Sequence, residues 1–206
     1  MNWLSKLFKG TFSAASSPNP NISEPERELP IDEAFVKNFK DKGGIFVYVE
    51  KRDDLPKVFQ TMVSEAGEDT FVFTHNEHLD QQLSADFPDC FVTNDQLATH
   101  FLTDCEYLVA EEGSIMFSSR QLGQKRLDEL PSTLIVVAKI SQIVATLMDA
   151  MGGLNRQVHQ ERPNNIRTLR AFTPPEEKDS IFYENCYRTT YLLLLEDLNT
   201  NEWTNY

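Results

Sequence analysis

The chain has 206 residues, of which 40% are hydrophobic and 25% charged, and its formal net charge is −13. This length and composition predict one soluble globular domain with a sizeable core. The negative charge disfavours nucleic acid as a partner, and no stretch approaches the roughly 18 apolar residues of a membrane-spanning helix. The N-terminus has no secretory leader pattern, so we expect a cytoplasmic protein.

Residues 1–30 differ in composition from residues 31–206. In the first part, Trp3, Leu7 and Phe8 share one side of a short helical turn, and a linker rich in Ser, Pro and Glu follows. A helix this short is marginal alone, so the favoured interpretation is a loosely docked terminus. The alternative is an anchor that contacts a membrane surface or a partner. We predict a single domain over residues 31–206.

The first half of this domain alternates helices with apolar strands. Phe35 and Phe39 lie one helical turn apart and are followed by Gly43-Gly44, which predicts a helix and its end. A second helix is predicted to begin after Asp53 or Asp54, either of which can cap it, and to end at Gly67. The other predicted elements are strands at Ile45–Val49 and residues 70–74, and a helix at residues 78–85.

The second half predicts further strands and one more helix. Residues 108–110 and Ser114–Phe117 are too close for a crossover helix, so they form a hairpin or one strand bent at Gly113. Ser141 is a good N-cap for a helix that ends at Gly152-Gly153. Strands are also predicted at residues 90–92, 134–138 and 189–197. This alternation predicts an α/β, three-layer fold, a mainly parallel sheet with helices on both faces.

The cysteines and histidines give no sign of a metal site. Cys90, Cys105 and Cys186 are far apart and form no C-x-x-C pair, which favours free core thiols over disulfides, zinc or iron–sulfur ligation. His75 and His78 are close along the chain, yet no second pair completes a ligand set. We expect neither a metal nor a cofactor in this chain.

Glu111-Glu112-Gly113 is the first candidate site. Adjacent strand residues point to opposite faces, so one acid can face a cleft while the other faces solvent. Gly113 permits a ligand or another backbone to come close. The alternative interpretation is a turn at the end of the sheet with two solvated acids.

Two other segments are candidates for binding an anion. Ser118-Ser119-Arg120 combines hydroxyl, guanidinium and backbone donors that suit a carboxylate or phosphate, or it is an ordinary polar loop. Arginines also cluster further on, and their planar donors suit an organic acid. Pairing with the acidic C-terminal part is the alternative. The clustered arginines are Arg156, Arg162, Arg167 and Arg170.

Residues 105–151, taken together, resemble the LUD domain, the LutC/YkgG-like family associated with lactate utilisation. That family shows an A-E-T-G-T turn, a polar loop with serines, an L-P-x-x-x-I-V-V strand and a Q-I-V segment. The resemblance extends more weakly over residues 45–197. The matching stretches here are Ala110-Glu111-Glu112-Gly113-Ser114, Ser118-Ser119, Leu130-Pro131 through Val136-Val137, and Gln142-Ile143-Val144.

The resemblance implies a NagB/RpiA/CoA-transferase-like fold and a role in oxidising L-lactate to pyruvate. The chain would be an accessory or small-acid-binding component, and iron–sulfur clusters would belong to partner subunits only. Glu111 is the candidate catalytic residue, because some CoA transferases of that fold carry a glutamate two residues before a glycine. The residues implied to bind the substrate are Gly113, Ser118, Ser119, Arg120 and Arg167.

The chain also departs from the family pattern. Glu112 stands where the family has Thr, and the family's later G-P-S-R-T-A-D-I-E element is reduced to Arg167-Thr168. Two other functions therefore stay open. One is a non-catalytic binding or scaffold module on the same fold, and the other is an acyl-CoA transferase-like enzyme with Glu111 as nucleophile.

Overall fold

A computed structural model describes residues 29–67, 69–156, 163–174 and 187–197. The predicted N-terminal turn with Trp3 and Phe8 lies outside these residues, as do Arg162 and Cys186. None of the helices within the described ranges is long and apolar enough to cross a membrane. The helices are α1 (Ile31–Asp41), α2 (Leu55–Ala66), α3 (Glu77–Leu83), α4 (Ser119–Leu122) and α5 (Leu147–Arg156).

The strands form two sheets. They are β1 (Ile45–Val49), β2 (Val72–Thr74), β3 (His100–Thr103), β4 (Tyr107–Val109), β5 (Ser114–Phe117), β6 (Thr133–Lys139), β7 (Ile143–Val144), β8 (Arg167–Leu169) and β9 (Thr189–Leu195). The larger sheet has the order β1-β9-β6-β3-β2, and all its neighbouring strands are parallel. The smaller sheet has the order β7-β4-β5-β8 and contains the predicted hairpin, β4 antiparallel to β5. The predicted α/β fold with a mainly parallel sheet is confirmed.

Both faces of the parallel sheet are buried. Alternate residues of β6 point to opposite sides, so that Val136 enters one apolar cluster and Ile135 the other. Helices α2 and α3 cover one face, with Phe59 and Leu83 fully buried. The other face is covered by α1, through residues such as Phe39, and by the smaller sheet. Helix α5 packs on the outer side of that smaller sheet.

The predicted helix at residues 141–153 is wrong at its start. Ser141 lies in a short 3-10 turn, and its hydroxyl donates to the carboxylate of Asp197 instead of capping a helix. Helix α5 begins at Leu147, and Thr146 and Asp149 form a capping box at its start. The N–H of Thr146 donates to the Asp149 carboxylate, and the N–H of Asp149 donates to the Thr146 hydroxyl. The intervening residues pair with β4 as strand β7.

The same helix does not end at Gly152-Gly153. It continues to Arg156, and both glycines lie inside it. A Cβ at Gly153 would overlap the hydroxyl of Tyr107 on β4. This glycine therefore allows helix and sheet to pack closely, at a cost of about 1 kcal/mol in helix propensity.

Two short segments also differ from the prediction. Residues 90–92 do not form a strand, because Pro88 starts a 3-10 turn and Phe91 makes only a single bridge to Val72. Strand β3 was not predicted, since Phe101 and Leu102 are flanked by polar residues and form too short an apolar run. Cys90 and Cys105 are free, as predicted.

Candidate functional site

A cleft of about 500 Å³ opens at the carboxyl edge of the parallel sheet. Each of the five strands delivers a residue to it, either as its last residue or one to three positions later. Ligands of open α/β sheets bind at this edge, and the volume suits a small molecule. The residues delivered are Arg52 after β1, Asn76 after β2, Asp104 after β3, Lys139 at the end of β6 and Leu195 at the end of β9.

The walls of the cleft are mixed in polarity. Leu55, Leu79 and Val137 supply apolar surface, while His78, Gln82 and Gln142 add polar groups. The cleft thus combines an apolar wall with cationic, amide and carboxyl groups at the strand ends. Such a lining suits a small organic anion with a short apolar part.

Asp104 is the acidic residue of this lining. Burial raises the pKa of Asp104, and the negative charge of Glu106 adds to this increase, while the side-chain amides of Gln121 and Asn76 work against it. The protein therefore keeps a carboxyl group at the cleft that binds a proton more readily than an exposed aspartate.

The cationic groups of the cleft come from two different strand ends. The Arg52 guanidinium approaches the imidazole of His78, with 2.6 Å between Nη2 and Nε2. Because a guanidinium only donates, Nε2 of His78 is the acceptor of this bond. Lys139 supplies the second cation. Positive charge in the cleft thus comes from Arg52 and Lys139, in a chain that is otherwise strongly acidic.

Gln142 lines the cleft and hydrogen-bonds to two separate segments of backbone. Its Oε1 accepts from the backbone N–H of Lys139 at 2.8 Å, and its Nε2 donates to the carbonyl of Cys105 at 2.6 Å. This amide joins the end of β6 to the segment that follows β3. Burial raises the pKa of the Cys105 thiol well above its ordinary value, so this cysteine is an inert packing residue.

The predicted serine loop forms a buried network behind Asp104. Ser118 is fully buried, and its Oγ donates to Glu106 at 2.6 Å while accepting from the N–H of Arg120. Arg120 lies 3.4 Å from Glu106, and Gln121 completes the cap of α4. These contacts bind protein groups to each other, and none of these residues lines the cleft.

We expect Ser118→Ala to lower the free energy of unfolding by about 2 kcal/mol, because it removes a helix cap and the donor to the buried Glu106 carboxylate. Ser119→Ala is the matched control. Ser119 is half-buried, and its Oγ accepts one backbone bond, from Asn164 at 3.1 Å. Its loss should cost about 1 kcal/mol or less. Urea unfolding measures both, and an equal loss in the two variants would refute the network.

Glu111 lies at the turn between β4 and β5, and its carboxylate is exposed. Its Oε1 accepts from the N–H of Leu147 at 3.0 Å, which places a negative charge at the N-terminus of α5. Gly113 is buried against α1, where a Cβ would overlap the backbone of Asn38 and Phe39. The group that comes close to Gly113 is thus the backbone of α1, and not a ligand.

The other predicted residues do not gather around Glu111. Arg167 pairs with Phe117, at the end of β5 away from the Glu111 turn. It is Arg170 that reaches the turn, and its Nε donates to Glu112 at 2.8 Å. The bond from Arg170 is the largest cause of a lowered pKa at Glu112. The structure therefore separates Glu111 from Arg167, and their predicted roles stay predictions.

Comparison with known proteins decides the family. The family model described as the LUD domain matches residues 32–185. The chain belongs to the LUD domain family. No curated protein matches it. The fold is similar to the crystal structure of a DUF162 family protein from Deinococcus radiodurans, with a TM-score of 0.59, 18% identity, and coverage of 81% of this chain and 96% of that one.

The residues that line the cleft of this LUD domain were not among the predicted site residues. Arg52, Asn76, Asp104 and Lys139 are spread over 88 positions and share no motif. Their position could have identified them, since each of these residues ends or follows a strand. The carboxyl ends of parallel strands meet at one edge of the sheet. In the part of the chain that the structure describes, no group of three His, Cys, Asp or Glu side chains could hold a metal ion.

The raised pKa of Asp104 predicts a pH dependence of stability. The folded state binds the Asp104 proton more tightly than the unfolded state does. The resulting contribution to the free energy of unfolding is fully present below the unfolded pKa of about 3.9. It is lost as pH rises through the folded pKa. The free energy of unfolding of wild type, relative to Asp104→Asn, should therefore fall over this range. Urea titrations at several pH values measure it, and a difference that rises with pH would contradict the prediction.

Proposed function

We propose that this LUD domain is the small-acid-binding, accessory component of an L-lactate utilisation system. Membership of the family supports a general relation to lactate utilisation. Oxidation of L-lactate to pyruvate releases two electrons and two protons. In the proposal, partner subunits with iron–sulfur clusters take the electrons, and this chain binds the acid and docks to those subunits.

The observation that carries the proposal is the cleft at the carboxyl edge of the sheet. Two cations, Arg52 and Lys139, line it, and either can contact a carboxylate. The nearby apolar wall suits a short hydrocarbon part such as the methyl group of lactate. The Glu111 turn offers no comparable combination, since Glu111 binds the N–H of Leu147 and Glu112 binds Arg170.

The roles predicted for the turn and the serine loop are kept as a competing proposal for the site. In that version Glu111 is the base or ligand contact, Gly113, Ser118, Ser119 and Arg120 surround the ligand, and Arg167 clamps a carboxylate. The acyl-CoA transferase-like alternative also uses Glu111, and it predicts a covalent thioester after incubation with an acyl-CoA. The scaffold alternative predicts an intact complex that is indifferent to Glu111→Gln.

Growth on L-lactate tests the proposed function. Deletion of the gene should impair growth on L-lactate but not on pyruvate, and the wild-type gene should restore it. Arg52→Gln with Lys139→Gln should fail to restore growth, because the cleft then lacks its two cations. Lys37→Gln is the control, since this exposed lysine lies on α1, where it pairs with Asp41.

Two results of this growth test would contradict the proposal. Unimpaired growth of the deletion strain on L-lactate would overturn the lactate function. Full restoration by the double variant, together with failure of Glu111→Gln, would move the site to the β4–β5 turn.

A further inference from the structure

Helix α5 has an apolar face that points away from the protein. Its opposite side packs on the smaller sheet through Ala150 and Leu154, which are buried. On the outer side, Met148 is 82% exposed, more than any other large apolar side chain in the described residues, and Met151 is 38% exposed. Methionine is common at protein-binding surfaces, because its flexible, polarizable side chain adapts to a partner. No residue of α5 lines the cleft, so this face is separate from the proposed ligand site.

Gly152 lies on the same face, and packing within this chain does not explain it. At the neighbouring Gly153 a Cβ would overlap Tyr107, so the fold requires that glycine. A Cβ at Gly152 would meet only the guanidinium of Arg156, the far end of a flexible side chain, with Nη1 3.5 Å away. Alanine would stabilise the interior of a helix more than glycine does. A glycine here does allow the backbone of another molecule to come close.

The spacing of this face makes it complementary to itself. Met148, Met151, Gly152 and Asn155 follow the i, i+3, i+4, i+7 pattern of one side of a helix. The set is symmetric about the point midway between Met151 and Gly152. A second α5, antiparallel and related by a two-fold axis through this point, places Met148 opposite Asn155 and Met151 opposite Gly152. Each methionine then faces a shorter residue of the second copy.

The charges beside this face are complementary in the same arrangement. Asp149 and Arg156 lie on one flank of α5, two turns apart. With a rise of about 1.5 Å per residue, Asp149 of one copy lies about 3 Å along the axis from Arg156 of the other, and this happens twice. Arg156 is exposed and makes no ion pair with another described residue. Thr146 bonds only Oδ2 of Asp149, and a carboxylate accepts about four hydrogen bonds.

We propose that α5 is the centre of a homodimer interface, in which it packs antiparallel against α5 of a second copy of this chain. The inference does not depend on the proposed function, and the dimer leaves both clefts open. Two chains with a net charge of −13 repel each other at long range, so the dimer needs salt to screen this repulsion. The test is therefore made at an ionic strength of about 0.15 M.

Analytical ultracentrifugation of the full-length chain, between about 1 µM and about 1 mM, measures the dimer dissociation constant. Met148→Ser should raise this constant about a hundredfold, because symmetry removes two methionines from the interface. Arg156→Glu should raise it at least about tenfold, since both ion pairs become repulsions. Leu97→Ser is the control. Leu97 is 63% exposed on a turn before β3, and its replacement should leave the constant unchanged.

Cysteine cross-linking tests the antiparallel arrangement. The two copies of Gly152 lie about 1.5 Å apart along the axis, whereas the two copies of Asn155 lie about 10 Å apart. A disulfide joins Cα atoms that are up to about 7 Å apart. Mild oxidation should therefore link Gly152→Cys chains into a covalent dimer. Asn155→Cys, exposed on the same face, should stay at the level of the wild type, whose own cysteines set the baseline.

Three results would overturn the proposal. A wild-type chain that stays monomeric up to about 1 mM would leave the face to a different partner. A dimer that Met148→Ser and Arg156→Glu do not weaken would use another surface. Cross-linking of Asn155→Cys equal to that of Gly152→Cys would contradict the two-fold axis between Met151 and Gly152.

Discussion

Replacement of Gly113 by alanine is expected to lower the free energy of unfolding by about 3–5 kcal/mol. The glycine has a φ of +57°, a conformation that L side chains rarely adopt. An added Cβ would also overlap the backbone of Asn38 and Phe39, and backbone cannot move aside as a flexible side chain can. The amide of Asn38 donates to the carbonyl of Ala110 at 2.8 Å, which holds α1 against this turn.

Gly123 is the control for this substitution. Its backbone, with a φ of +59° and a ψ of −129°, also disfavours an L side chain, but a Cβ added there would meet nothing within 4 Å. Gly123→Ala should therefore cost only the strain of the backbone, about 1–3 kcal/mol. Urea unfolding of both variants isolates the contribution of the close approach. Equal losses in the two variants would show that α1 does not pack against the turn as described.

The second large effect is expected for Phe39→Ala, which should cost about 3–5 kcal/mol. Phe39 is fully buried and packs against Phe35 and Phe172, with ring centroids 5.7 Å and 4.5 Å away. It also lies over Gly44, where any Cβ would overlap its ring. Removing the ring leaves a cavity between α1 and the two sheets, since their rigid backbones limit collapse.

Phe71→Ala is the control for the loss of an aromatic ring. Phe71 precedes β2 and is 38% exposed, so its truncation should cost markedly less, about 1–2 kcal/mol. Thermal or urea unfolding gives the two values. A Phe39→Ala variant as stable as Phe71→Ala would contradict the placement of α1 on the sheet.

Much of the fold could be predicted from local patterns. Strands β6 and β9 are largely buried on both faces, and each contains an uninterrupted apolar run in the sequence. The β4–β5 hairpin was predictable because the two apolar runs are too close for a helix. The features that the sequence did not predict depend on tertiary packing. Gly153 lies inside a helix because Tyr107 packs against it, and a distant carboxylate, Asp197, takes the hydroxyl of Ser141.

The candidate site was harder to predict than the fold. Glu111, Ser118 and Ser119 were predicted because they lie close together along the chain, as the residues of a sequence motif do. The cleft is instead built by strand order, which brings Asn76 and Lys139 to one edge from segments 63 positions apart. Asp104 directly follows β3, and this strand was not predicted. The sequence therefore did not indicate that Asp104 lies at the carboxyl edge of the sheet.

The most direct test of the account is to locate where L-lactate binds. Amide chemical shifts of the isotopically labelled chain would be followed as L-lactate is added. We expect the largest changes at the strand ends that line the cleft, at Arg52, Asn76, Asp104 and Lys139. Changes confined to the turn at Glu111 and Gly113, or no changes at saturating L-lactate, would contradict it.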